Sequence, residues 1–103
     1  MKVLDHIAIQ VKDINDSCAW YVENLHADIL YTDETWAMLQ VANMKLALTI
    51  ASEHPPHWAI KVDSLDDFPK KEKIGSHRDG SRFVYIRDPD GNVVEYVWYP
   101  DAD

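Results

Sequence analysis

Two histidines and one glutamate carry the groups in this sequence best suited to chemistry: His6, His57 and Glu95. Imidazole and carboxylate are the ligand types of Fe, Mn, Zn and Ni. The two histidines open matching segments. His57-Trp58-Ala59-Ile60-Lys61-Val62 repeats His6-Ile7-Ala8-Ile9-Gln10-Val11 51 positions later, with the same residue at four of six places. As strands, both segments put every second residue on one face, so His57, Ala59 and Lys61 align just as His6, Ala8 and Gln10 do. Glu95 stands in Val93-Val94-Glu95-Tyr96-Val97-Trp98, sharing a face with Val93 and Val97. A carboxylate among apolar strand residues either reaches solvent or is paired, because burying it alone is costly.

The elements that must position these groups follow from periodicity and turn chemistry. Residues 83–98 read as two antiparallel strands closed by Asp88-Pro89-Asp90-Gly91, with Asp at i, Pro at i+1 and Gly at i+3 of a type I turn. Residues 2–11 form the first strand, with Ile7, Ile9 and Val11 on its apolar face. Asp13 or Asp16 can cap the helix that follows, whose stripe is Ile14, Cys18, Tyr21, Val22 and Leu25. Cys18 lies on that stripe and reads as a small core residue, not a nucleophile. Three short strands follow at 28–32, 36–41 and 44–50, the last with Leu46, Leu48 and Ile50 on its apolar face. After a linker stiffened by Pro55-Pro56 the pattern restarts. Residues 64–73 replace the first helix but contain Pro69, so only a turn or two of helix is expected. Residues 74–81 read as a polar connection with at most a brief strand.

The chain is therefore expected to be α+β: two βαβββ modules, 1–52 and 53–103, in one domain of 103 residues. Each module makes about four strands with one covered face, too little to be stable alone. The expected result is a curved, cup-like mixed sheet with helices on its outer face. The open face carries His6, His57 and Glu95. His26, His54 and His77 fall in predicted loops or at a helix end and lack this support.

Composition narrows the partners. A net charge of −8, spread along the chain, argues against nucleic acid and anionic membranes. No apolar run reaches the length of a membrane helix, and the N-terminus lacks signal-peptide features. One cysteine fits a reducing compartment, so the expected localisation is cytoplasmic.

The chain resembles the vicinal oxygen chelate superfamily, which includes glyoxalase I, type I extradiol dioxygenases, methylmalonyl-CoA epimerase, and fosfomycin and bleomycin resistance proteins. The residues that carry the resemblance are Leu4-Asp5-His6-Ile7-Ala8-Ile9, Ala19-Trp20-Tyr21 with Leu25, Pro56-His57-Trp58-Ala59-Ile60, and Asp88-Pro89-Asp90-Gly91-Asn92-Val93-Val94-Glu95. They span nearly the whole chain. The resemblance implies one divalent metal ion (Fe2+, Mn2+, Zn2+ or Ni2+) held by His6, His57 and Glu95. A fourth ligand position on the last strand of the first module corresponds to Ala47, which cannot coordinate. Either histidine alone reads better as a partly buried strand residue with a local hydrogen bond than as a ligand. Two at equivalent repeat positions, with a carboxylate on the same face, favour a metal.

The resemblance does not single out one branch. Glyoxalase I and the epimerase draw acid/base chemistry partly from the position of Ala47, which has none. Tyr85, ten residues before Glu95, matches a tyrosine beside the metal of extradiol dioxygenases, yet their catalytic histidine has no counterpart among Ala42, Asn43, Met44 and Lys45. Fosfomycin transferases use a similar ligand set, but their phosphonate-binding residues correspond to Ala8, to a position near Gly75 and to one past the end of this chain. Bleomycin-binding proteins generally lack the metal ligands and use an aromatic groove. Among the four tryptophans, Trp20, Trp36, Trp58 and Trp98, the last two fall on predicted core faces.

The implied function is metal-dependent oxygenase- or lyase-like chemistry on a small molecule with neighbouring oxygens. The alternative is sequestration of a ligand without turnover. Tyr85 is the candidate catalytic residue. Gln10, Lys61 and Arg87 are candidate substrate contacts by strand facing, with Lys61 and Arg87 equally readable as solvated strand ends. Family members of this length are commonly homodimers, with modules paired within a chain or exchanged between chains.

Overall fold

A computed structural model describes residues 2–52 and 54–100. The chain divides into two compact units: His6–Pro56, and the described residues up to Asp5 together with those from His57 onward. Each is built as strand, helical segment, then three strands, with parallel and antiparallel pairing mixed, so the fold is α+β.

In the first unit, β1 (Val3–Gln10, from His6 on) leads to α1 (Ile14–Leu25), β2 (Asp28–Thr32), β3 (Trp36–Val41) and β4 (Met44–Thr49). The strand order is β2-β3-β4-β1. Asp13 caps α1, its carboxylate accepting the Asp16 N–H at 2.8 Å. Ile14 and Cys18 are buried against Ala37, Leu39, Leu46 and Leu48, with Ile7, Ile9 and Val11 packed on the same core. The predicted stripe is covered only along its first turns: Val22 and Leu25 are exposed.

Two residues of this unit hold left-handed backbone without being glycine. His26 ends α1 at φ 55°. Ala42 has φ 55° at the first position of the two-residue turn between Val41 and Met44, where hairpin geometry favours glycine. Ala42→Gly is therefore expected to stabilise the protein by about 0.5–1 kcal/mol. Urea unfolding checks this; an unchanged midpoint would contradict it.

In the second unit, β5 (His57–Lys61), a 3-10 turn (Leu65–Asp67), β6 (Gly75–Ser76), β7 (Arg82–Arg87) and β8 (Val93–Trp98) follow in order. The strands lie as β5-β8-β7-β6, with β5 and β8 parallel and the rest antiparallel. The β7–β8 turn forms as its sequence predicts. Gly91 N–H donates to Asp88 O at 3.0 Å, and Asp88 Oδ1 accepts from the N–H groups of Asp90 and Asn92. Tyr99 closes the unit by donating its hydroxyl to Asp5 at 2.8 Å.

One sheet face of this unit packs Ile60, Val62, Val84, Tyr96 and Trp98 around Phe68. Trp58 was expected there but is 45% exposed. Only a three-residue turn stands where the first unit has a twelve-residue helix, so it cannot cover the start of β5. The second helical segment is a single turn, as the Pro69 interruption predicts.

Candidate metal centre

The other face of the second unit carries that unit's candidate site residues. Along β5 and β8 the parallel register pairs His57 with Val93 and Ala59 with Glu95. Across the β7–β8 hairpin, Tyr85 lies directly opposite Glu95. Alternation then puts His57, Ala59, Glu95 and Tyr85 on one side, while Val84 and Ile86 point into the core. Ala59 has only a methyl group, which leaves room for the Glu95 side chain beside it.

Glu95 is 1% exposed, and two imidazoles reach its carboxylate. His57 Nε2 lies 3.1 Å from Oε1. His77 Nε2 lies 2.7 Å from Oε2. The His77 ring stacks on Phe83 with centroids 4.0 Å apart and planes 14° from parallel. Tyr85 packs between Phe83 and His57, at ring separations of 5.0 and 5.3 Å. Burial, then the negative charge of Glu95, raises the Tyr85 pKa well above its ordinary value. With no ion bound, Tyr85 is a neutral phenol at physiological pH, able to donate a hydrogen bond.

The donor set fits a divalent ion. Ligands at about 2.0–2.2 Å from one ion, at right-angle to tetrahedral separation, stand roughly 2.8–3.6 Å from each other. The 3.1 Å between His57 Nε2 and Glu95 Oε1 falls in that interval. A buried carboxylate facing imidazole nitrogens is also the chemistry a hard or borderline cation neutralises.

The remaining expected site residues are distributed as follows. His6 and Gln10 lie on β1 in the first unit, where His6 is buried. Gln10 donates its amide to His54 O at 3.1 Å. Lys61 ends β5 on the His57 side, half-buried. Arg87 is exposed and donates to Gly91 O at 3.0 Å, bracing the β7–β8 turn. In the first unit the parallel β1–β4 register pairs Ala8 with Ala47, as Ala59 pairs with Glu95 in the second. The residue in the place of Glu95 is thus a buried methyl group.

His77, a loop histidine by sequence pattern, reaches Glu95 in the structure. It directly follows the short β6 and begins a tight turn: Gly80 N–H donates to His77 O at 3.0 Å, and His77 N–H to Ser81 O at 2.9 Å. Asp79-Gly80, a recognised hairpin signal, could have indicated that His77 folds back onto the sheet.

Comparisons with known proteins bear on this arrangement. No protein-family model matches the chain. A metallothiol transferase, FosB, of Staphylococcus epidermidis is 28% identical, the match covering 89% of this chain and 78% of that protein. The enzyme of a second strain of that species is 27% identical over the same shares. Among solved structures, a hypothetical protein of Bacillus halodurans superposes with TM-score 0.77 at 19% identity, covering 99% of this chain and 97% of the other. Methylmalonyl-CoA epimerase of Mycobacterium tuberculosis gives 0.71 at 20% identity, covering 92% and 86%. A glyoxalase/bleomycin resistance protein/dioxygenase superfamily member of Vibrio splendidus gives 0.68 at 16%, covering 94% and 100%. With two modules of strand, helical segment and three strands, the chain has the fold of these glyoxalase/bleomycin resistance protein/dioxygenase and epimerase structures and is similar in sequence to the metallothiol transferases.

Proposed function

We propose that this protein is a metalloenzyme in which His6, His57 and Glu95 hold one divalent ion and the substrate is a small molecule with neighbouring oxygens. The observation that carries the proposal is the buried Glu95 carboxylate with His57 Nε2 at ligand spacing from it. When bound, the ion polarises substrate oxygen or activates dioxygen. Glu95 supplies negative charge to the ion, and the imidazoles supply neutral nitrogen donors. Tyr85 donates a hydrogen bond to substrate oxygen. The methyl group of Ala47 supplies no base, which favours oxygenase- or lyase-like chemistry over proton shuttling between two carboxylates. The likeness to a metallothiol transferase supports small-molecule chemistry and a metal. The working assembly is a homodimer in the cytoplasm, and no helix among the described residues is long and apolar enough to cross a membrane.

Elemental analysis of untagged, chelator-free protein tests the proposal. The expected result is about one equivalent of Fe, Mn, Zn or Ni per chain, lost in both His6→Ala and His57→Ala. Retention in His6→Ala would remove that residue from the ligand set. No metal in the wild type, even after reconstitution, would overturn the enzyme reading and favour a ligand-sequestering role. The metal found directs the substrate search: Fe or Mn toward dioxygen and catechols, Ni or Zn toward isomerisation.

A further inference from the structure

We infer that His77 is a positioning residue: it holds one oxygen of Glu95 so that the other is presented to the metal beside His57. The inference rests on the metal reading above. It begins from the two unequal approaches to the carboxylate. His57 stands 3.1 Å from Oε1, at the spacing of two ligands on one ion. His77 stands 2.7 Å from Oε2, shorter than that spacing and within the range of a charge-assisted hydrogen bond. A carboxylate that ligates a metal is ionised and only accepts, so in that state His77 Nε2 is the donor. With Oε2 turned to His77, Oε1 is the oxygen that faces His57.

Glu95 needs such a partner. The last torsion of a glutamate side chain is broad, with no sharp rotamer to fix which oxygen faces which way. The anchor is itself fixed. The His77 ring lies flat on Phe83, and the Phe83 ring lies over Gly75, where a Cβ would come within 2.7 Å of it. The backbone on the other side is tied by the tight turn through Gly80, at φ 89°. The side chain is 26% exposed, so its outer edge reaches solvent while Nε2 faces the buried carboxylate. Partners that hydrogen-bond a ligating carboxylate orient it, and their removal costs about 10–100-fold in metal affinity.

Zn2+ affinity, measured by competition with a chromophoric chelator, tests the inference on wild type, His77→Phe, His77→Gln and His57→Ala. Phenylalanine keeps the stack on Phe83 and loses the donor. Glutamine returns a donor at similar reach. The expected result is an affinity about 10–100-fold weaker in His77→Phe, restored to within about threefold of wild type in His77→Gln. The Co2+ absorption spectrum is expected to be the same in wild type and His77→Gln, because the ligand atoms do not change. Unchanged affinity in His77→Phe would overturn the positioning role while leaving the metal reading intact. A loss in His77→Phe equal to that in His57→Ala, with no rescue by glutamine and an altered Co2+ spectrum, would also overturn it, making His77 a ligand. A wild type that binds neither ion would overturn both readings. Far-UV circular dichroism of each variant separates these results from misfolding.

Discussion

Glu95→Ala is expected to weaken divalent-metal binding by at least about 100–1,000-fold, because the variant loses the only anionic donor in the proposed set. The scale comes from structural zinc sites, whose binding free energy of about 10–16 kcal/mol is shared among four ligands, or roughly 2.5–4 kcal/mol each. That loss exceeds the effect expected for His77, since one residue supplies the bond and the other only aims it. The apo protein responds differently. Removing the carboxylate takes a buried charge out of the sheet and removes the acceptor of His77. The two changes oppose each other, so apo stability moves less than metal affinity. Thermal melts make the contrast visible. Saturating metal raises the wild-type midpoint by mass action and leaves that of Glu95→Ala unmoved. Glu95→Gln separates charge from shape, since it fills the same volume and is expected to bind metal nearly as poorly as alanine. A glutamine variant with wild-type affinity would mean that the carboxylate is structural and that the ion, if one binds, is held elsewhere.

The elements were legible where the chain repeats a pattern long enough to carry a period. The segments beginning at His6 and His57 each run long enough to assign a face, and the β5–β8 register puts Glu95 on the face that alternation assigned to it. The Asp88–Gly91 turn was legible because every position of it has its own chemistry. His77 was not legible by the same means. The strand before it is two residues long, too short for any periodicity, and its partner Phe83 stacks on it only after the turn through Gly80 closes. The exposure of Trp58 was hidden for a different reason. Alternation assigns a side chain to a face, but whether that face is covered depends on what lies above it, and Pro69 leaves only a short turn there. The left-handed backbone at His26 and Ala42 likewise contradicts local residue preference, and the surrounding helix end and hairpin impose it.

Ala47→Glu tests whether the repeat extends to the site itself. In the first unit Ala47 pairs with Ala8, as Glu95 pairs with Ala59 in the second, so the substitution recreates the Glu95 position in the other module. Ala47 is 5% exposed, and its other neighbour across β3 is Met38. A carboxylate placed there without metal is buried without a cation and is larger than the space it enters. The expected cost is about 3 kcal/mol or more. Burial raises the folded-state pKa of the new group above its unfolded value of about 4.3. The penalty is therefore smallest below that pH, grows as pH rises above it, and levels off once pH exceeds the raised folded pKa. Metal should reverse much of the loss if the proposed centre is right, because an ion held by His6, His57 and Glu95 would gain a fourth ligand. The stabilisation of Ala47→Glu by Zn2+ is then larger than that of wild type, read as the difference in denaturant midpoint with and without the ion. Ala47→Gln, uncharged at the same volume, should show the packing cost with less of the pH dependence and less of the rescue. An equal metal effect in Ala47→Glu and wild type would place Ala47 away from the ion. The two modules would then be alike in fold but not in what they contribute to the site.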